Sequence, residues 1–155
     1  MLPGLGGCGG GEGVGAGAVL TVYVSTPLSG GQFGRGRAIC AGAKRELARS
    51  KGRAGSVSVR VLCLDDAGGA GRWTLAAVGA DARRAVEDSS TIGYIGELDP
   101  TATRFSRPIV EAAGIPQLST RSGLTAMREL LGAIRRAASA SSSGTFRESV
   151  RTELR

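Results

Sequence analysis

The feature that most constrains this chain is a regular alternation of strand-like and helix-like segments between residues 18 and 119. The segment from Ala18 to Val24 is nearly all apolar or β-branched, which is typical of a strand buried on both faces. Stretches with apolar residues at helical spacing separate it from three more strand-like segments, at 57–64, 91–96 and 115–119. This alternation predicts an α/β fold with a doubly wound, mostly parallel sheet.

The spacing of apolar residues also predicts the helices and the order of the strands. We expect helices at 34–50, 72–87 and 101–113, the third kinked by Pro108. The second strand opens with a clean apolar–polar alternation, which is typical of a strand near a sheet edge, so the expected sheet order is 2-1-3-4. Because proline lacks a backbone N–H, Pro116 must either begin the fourth strand or lie at an edge of the sheet. In such a sheet, ligands bind outside the carboxyl ends of the strands, where the strand order reverses.

Histidine is absent from the chain, which has 3 cysteines. This excludes Ser-His-Asp and Cys-His nucleophiles, His-ligated zinc or iron sites, and a zinc site of four thiolates. With 41% hydrophobic and 21% charged residues, the composition is that of a globular domain. We therefore expect a protein that is not an enzyme and that carries no metal and no cofactor.

The formal net charge is +7. More than half of this excess lies after residue 120, and the other basic residues are spread along helical segments and interleaved with acids. No aromatic stacking platform or zinc finger accompanies them. Because a nucleic-acid surface requires clustered charge, we interpret these arginines as solvated helix faces and expect no nucleic-acid partner.

The first seventeen residues are rich in glycine, which indicates a flexible tether. Within them, Leu5-Gly6-Gly7-Cys8 resembles the lipobox of bacterial lipoproteins, in which the cysteine is lipidated. The alternative is an incidental cysteine in a tail, since no apolar signal segment precedes Cys8 in this sequence. No segment reaches the roughly 20 apolar residues of a membrane span. Any membrane association is therefore expected to occur through a lipid anchor alone.

The sequence pattern changes after residue 120. A helical stripe is expected there, formed by Leu124, Met127, Leu131 and Ile134, and it could dock against another surface. A low-complexity run of Ser, Ala and Gly and a basic end follow it. We therefore divide the chain into a tether (1–17), an α/β ligand-binding lobe (18–120), and a helix with a basic tail (121–155).

Several short motifs stand in order along the lobe: Pro27-Leu28-Ser29-Gly30, Gly36-Arg37, Leu64-Asp65-Asp66-Ala67, Ile92-Gly93-Tyr94-Ile95-Gly96-Glu97 and the run from Pro108 to Ser119. Together they resemble the periplasmic-binding-protein-like receptors of branched-chain amino acid transporters. The resemblance implies one lobe of a two-lobe extracytoplasmic receptor that closes on a small ligand and presents it to an ABC permease. Because that family has two lobes joined by a hinge, it also implies a truncated or frame-shifted product, with the tail partly out of frame.

The resemblance carries over a set of ligand-binding residues by position. In that family, hydroxyls and backbone groups after the third and fourth strands hold the ligand's α-carboxylate and α-ammonium. The corresponding positions here are Thr101, Ser119 and Ser122, with Phe33 or Gln32 covering the pocket from the first loop. Hydroxyls and N–H groups suit a zwitterion because they neutralise both ends without burying an unpaired charge.

Two other classes of protein remain open on the residues alone. Asp65 at a strand end, with Gly34-Arg35-Gly36, could belong to a nucleotide-binding α/β domain of an enzyme, although the three-glycine fingerprint is incomplete. A response-regulator-like signalling domain has a similar topology. It requires an acceptor aspartate at the end of the third strand, where this chain has Gly96-Glu97.

Cys40 and Cys63 lie in the first predicted helix and the second predicted strand. In an exported protein they could form a disulfide. Both also occupy positions where a small apolar residue would suffice. We favour the second interpretation unless their Cα atoms lie within about 7 Å of each other.

Overall fold

The structure is a computed structural model that describes residues 17–68, 71–119, 122–140 and 144–155. The strands are β1 (Val19–Thr26), β2 (Arg53–Ala54), β3 (Val57–Asp65), β4 (Thr91–Ile95) and β5 (Gln117–Leu118). The helices are α1 (Phe33–Arg49), α2 (Leu75–Glu87), α3 (Pro100–Ala112), α4 (Gly123–Ser139) and α5 (Phe146–Glu153), and a 3-10 turn precedes α1 at Gly30–Gln32. Cys8 and the predicted tether, except Gly17, lie outside the described residues.

The sheet has the order β2-β3-β1-β4-β5, and β3, β1, β4 and β5 run parallel. In the numbering of the predicted strands this is 2-1-3-4, so the predicted α/β, doubly wound fold is confirmed. The two-residue strand β2 was not predicted. It pairs antiparallel with the first residues of β3 through a tight turn, in which Gly55 has a positive φ of 63°. β5 is also shorter than predicted, and Pro116 directly precedes it at the sheet edge.

The central strand β1 organises the two faces of the sheet. It pairs with β3 along its whole length, from Val19 opposite Ser58 to Thr26 opposite Asp65, and with β4 on its other side. Its side chains alternate, so Val22 and Val24 lie in one core cluster and Tyr23 lies in the other. This two-sided burial explains why the strand is almost continuously apolar.

Helices α1 and α4 cover one face and helices α2 and α3 the other. The α1/α4 face is packed with aliphatic side chains, among them Ile39, Met127, Leu130 and Ile134. On the other face, α2 begins at Leu75, three residues later than predicted. Thr74 is extended there, and its hydroxyl accepts a hydrogen bond from the backbone N–H of Ala77.

Helix α4 belongs to the core of the lobe. Of the predicted stripe, Met127, Leu131 and Ile134 are buried against the sheet and Leu124 is partly buried. A lobe ending at residue 120 does not describe this packing, because the α1 side of the sheet is completed by α4. The stripe therefore has its partner within the chain.

The basic end of the chain also folds onto the lobe. Helix α5 starts with a capping box between Thr145 and Glu148, and its Val150 is fully buried. The Arg147 guanidinium donates to the carbonyl oxygens of Thr91 at 2.7 Å and Ser89 at 2.9 Å. In the part of the chain that the structure describes, no helix is long and apolar enough to cross a membrane.

Cys40 of α1 and Cys63 of β3 form a disulfide, with their Cα atoms 6.1 Å apart. The preferred interpretation, two small apolar residues, is therefore wrong by the distance criterion set above. The bond ties the helix layer to the sheet and closes a loop with a sequence separation of 23.

We expect replacement of both cysteines by alanine to lower the free energy of unfolding by about 3 kcal/mol, because the open chain gains entropy in the unfolded state. Urea unfolding of the oxidised wild type and the double variant measures the difference. Adding dithiothreitol should destabilise the wild type and leave the double variant unchanged. Equal unfolding midpoints for the wild type and the double variant, each with and without dithiothreitol, would contradict a structural role for the disulfide.

A second prediction concerns the contact between α1 and α4. A Cβ at Gly123 would lie 1.9 Å from the backbone oxygen of Ile39, whereas a Cβ at Gly132 would meet only the flexible Arg136 side chain at 3.3 Å. We expect Gly123→Ala to destabilise the protein by about 1–3 kcal/mol through overpacking. The matched variant Gly132→Ala should be neutral or stabilising by up to about 1 kcal/mol. Thermal unfolding compares them, and similar melting temperatures for the two variants would refute the close contact.

Candidate functional site

A groove of about 750 Å³ lies at the carboxyl ends of β4 and β5. It runs between one face of α3 and the segments that follow the two strands. Its lining residues are Glu97, Leu98, Pro100, Thr103, Arg104, Arg107, Pro108, Glu111 and Ser119. Most of these side chains are exposed, so the groove is open to solvent on one side. It occupies the part of a doubly wound sheet where ligands bind.

The ligand-binding residues implied by the resemblance lie in four separate places. Ser119 lines the groove. Ser122 caps α4, where its hydroxyl accepts from the backbone N–H of Thr125, and lines a neighbouring pocket of about 360 Å³. Gln32 and Phe33 lie exposed at the start of α1 and line neither of these pockets.

Thr101 is exposed in the first turn of α3 and is not among the residues lining the groove. Its backbone N–H donates to Oδ1 of Asp99 at 2.7 Å. The other carboxylate oxygen of Asp99 accepts from the indole N–H of Trp73 at 2.9 Å. These hydrogen bonds, the one from Thr101 first, lower the pKa of Asp99. The N-terminus of α3 is thus already capped by a charge of this chain.

Asp65 fixes the loop that follows β1. Its carboxylate accepts from the backbone N–H of Leu28 at 2.8 Å, the hydroxyl of Ser29 at 2.6 Å and the backbone N–H of Ala67 at 3.1 Å. Burial opposes the charge, but the hydrogen bonds outweigh it and lower the pKa of Asp65. Asp65 therefore holds two loops together and is neither a solvated loop acid nor an open ribose acceptor.

A polar network lies beneath α2 and α3, next to the groove. Glu97 is buried, and its two carboxylate oxygens accept from the hydroxyls of Tyr94 at 2.8 Å and Ser106 at 2.7 Å. Asp81 of α2 accepts from the hydroxyl of Ser25 at 2.8 Å. Asp66 is buried with no hydrogen-bond partner for either side-chain oxygen among the described residues.

These carboxyl groups hold protons more tightly than free acids do. Burial, then the charges of Glu97 and Asp81, raises the pKa of Asp66 to about 7. Burial raises the pKa of Asp81 to about 6, and that of Glu97 also rises despite its hydroxyl donors. No group of acids or thiols among the described residues has a geometry that could hold a metal ion. Burial in this network therefore favours the neutral form of each of the three carboxyl groups.

Sequence reasoning missed Thr103, Arg104 and Arg107, because a helix period alone does not say which face meets a neighbouring loop. Asp81 carried a visible signal, since it lies between Val78 and Ala82 on the apolar stripe of α2. An acid on a buried stripe requires a polar partner, and here that partner comes from β1.

Comparison with known proteins adds to this geometry. No family model matches the chain, and no curated protein does. Solved structures do match, and the chain spans between 27% and 42% of the length of those compared here. The likeness shows the fold of a single lobe of a periplasmic-binding-protein-like protein.

Three of these structures are typical. The leucine-binding protein LivK of Thermotoga maritima MSB8 is 21% identical, with a TM-score of 0.55, over 64% of this chain and 27% of that one. The branched-chain amino acid transporter substrate-binding protein LivJ of Streptococcus pneumoniae, in complex with isoleucine, is 20% identical, with a TM-score of 0.57, over 72% and 32%. A solute-binding protein of an ABC transporter from Rhodopseudomonas palustris BisB5, in complex with 3,4-dihydroxybenzoic acid, is 13% identical, with a TM-score of 0.58, over 88% and 42%.

We expect the free energy of unfolding to fall as the pH rises from about 4 to about 7. Native Asp66 and Asp81 keep protons up to pH values of about 7 and about 6, which the unfolded chain releases near 3.8. The stability that this proton uptake contributes is complete below pH 4 and is lost above pH 7. Urea unfolding at pH 5 and pH 8 measures the fall.

Asp66→Asn should reduce this fall without abolishing it, since one of the three acids with a raised pKa is removed. The exposed Glu87→Gln is the matched control and should behave as the wild type. Stability that increases steadily from pH 5 to pH 8 would contradict the buried, protonated network.

Proposed function

We propose that the chain is a lobe of an extracytoplasmic solute receptor that serves an ABC transporter and binds a small carboxylate-bearing solute of the amino-acid class. The observation that carries this proposal is the groove at the carboxyl ends of β4 and β5, on a fold shared with solute receptors. Isoleucine and 3,4-dihydroxybenzoic acid, found in two of those receptors, both carry a carboxylate.

In this proposal Ser119 donates its hydroxyl to the solute from the end of β5. The hydroxyl of Thr103 accepts from the backbone N–H of Glu97 and donates to the carbonyl oxygen of Asp99, so Thr103 shapes the wall of the groove. Thr101 and Ser122 flank the groove on either side, and Gln32 and Phe33 contact the solute from the start of α1 once a second lobe closes on it. A groove open on one side fits such closure, because a receptor cleft is completed by the lobe opposite. Branched-chain amino acids are the first candidate solutes, and the ABC permease is the partner.

The disulfide between Cys40 and Cys63 supports the proposed compartment, because disulfides persist in oxidising surroundings outside the cytoplasm. Lipidation of Cys8, in the segment outside the described residues, would hold the lobe at the membrane surface. A nucleotide-binding role fits less well. The carboxylate of Asp65 is engaged by Ser29, Leu28 and Ala67 and is not open to a ribose.

The proposal is tested by titrating the ¹⁵N-labelled full chain with leucine, isoleucine and valine, and separately with NAD and NADP. We expect the branched-chain amino acids to shift the backbone amide signals of Thr103 and Ser119 with dissociation constants of about 1 mM, as befits half of a cleft. Ser119→Ala should weaken this binding about threefold or more, since one hydrogen bond is lost.

Ser56→Ala, in the exposed turn between β2 and β3, is the control and should bind as the wild type. Saturable binding of NAD or NADP, without binding of any of the three amino acids, would overturn the proposal in favour of a nucleotide-binding domain.

A further inference from the structure

Two arginines stand side by side on the wall of the groove. Arg104 and Arg107 are one helical turn apart on α3, so they share one face of the helix. Both side chains are exposed, and within the described ranges neither forms a hydrogen bond or an ion pair. Some exposed arginines of the lobe do form ion pairs, such as Arg128 with Glu46 at 3.0 Å and Arg136 with Glu153 at 2.7 Å, whereas others among the described residues, such as Arg83 of α2, do not. The pair in the groove is therefore unused by the fold.

The negative groups around the groove are largely occupied. Both oxygens of Glu97 accept hydroxyl donors, and the residue is only 1% exposed. Asp99 is engaged by Trp73 and by the N-terminus of α3. Among the described lining residues, Glu111 is the remaining carboxylate. It is exposed to water one helical turn after Arg107, and no ion pair joins the two in the part of the chain that the structure describes.

A second, adjoining groove along β5 also carries arginines. It has a volume of about 430 Å³ and shares Arg107, Glu111 and Ser119 with the main groove. Arg151 and Arg155 are its further cations, and Glu129 is its further acid. The three arginines of this adjoining groove outnumber its two glutamates by one.

Much of the remaining lining of the groove is uncharged. Leu98, Pro100 and Pro108 supply an apolar lining, and Ser119 supplies a hydroxyl. A free guanidinium binds a carboxylate through two parallel N–H donors, which gives both energy and orientation. The helix N-terminus, which could otherwise take the carboxylate, is capped by Asp99. The two arginines are the anion-binding groups that remain.

On the basis of the proposed receptor function, we infer that Arg104 and Arg107 bind the carboxylate of the solute, and that an organic acid without an ammonium group binds this lobe more tightly than the corresponding amino acid. A zwitterion would bring an ammonium into a groove whose buried carboxylate is already satisfied and whose other carboxylate is water-exposed. An apolar acid anion matches both the two free cations and the Leu98–Pro100–Pro108 lining.

The test compares leucine with 4-methyl-2-oxopentanoate, which has the same side chain and carboxylate but a keto oxygen in place of the ammonium. The ¹⁵N-labelled full chain is titrated with each, up to about 10 mM. We expect the keto acid to bind about tenfold more tightly than leucine. Raising the salt concentration from about 50 mM to about 500 mM should weaken its binding several-fold, because the arginines are exposed.

Arg104→Gln and Arg107→Gln should each weaken keto-acid binding about fivefold, a loss in the range of an exposed charge-assisted hydrogen bond. Arg83→Gln, on the exposed side of α2 away from the groove, is the matched control and should bind as the wild type. Thermal unfolding of the three variants confirms that each remains folded.

Two results would overturn the inference and leave the proposed function standing. One is leucine binding equal to or tighter than keto-acid binding, and the other is keto-acid binding by the α3 variants equal to that of Arg83→Gln. If neither compound moves any amide signal at about 10 mM, the proposed receptor function itself is overturned.

Discussion

The whole lobe depends on the parallel pairing of β1 with a neighbour on each side. Because β3 and β4 both run parallel to β1, their carboxyl ends reach the same edge of the sheet. Each return connection must then cross a face of the sheet as a helix, which places helices on both faces. The loops that line the groove converge only because of this arrangement, and the apolar character of β1 on both faces is what permits it.

Much of this arrangement can be predicted from periodicity, because strand burial and helix stripes are properties of short segments. The order 2-1-3-4 followed from the strand–helix alternation and from one alternating strand, which indicated a sheet edge. The fate of α4 could not be predicted in this way. Its stripe of Met127, Leu131 and Ile134 was visible, but a stripe does not say whether its partner is the same chain or another. Only the close approach of Gly123 to Ile39 decides that.

The position of the site could be predicted from the sequence, but the roles of most of its residues could not. Ser119 could be placed at the groove because it follows a parallel strand, and the ends of such strands meet. The roles of Asp65, Asp99 and Arg104 could not be assigned, because each depends on which polar groups across the fold are already satisfied. Asp65 binds the loop that follows β1, and Asp99 caps α3. In our inference the arginines of α3 therefore bind the anion, and no local sequence pattern marks them for that role.

The sheet ends on one side in a strand of two residues, with Pro116 immediately before it. Pro116 has no N–H, and its carbonyl already accepts from Tyr94 of β4. An edge this short offers too few free main-chain groups to template the addition of another chain. The brevity of β5 therefore helps to protect this edge of the sheet against edge-to-edge aggregation.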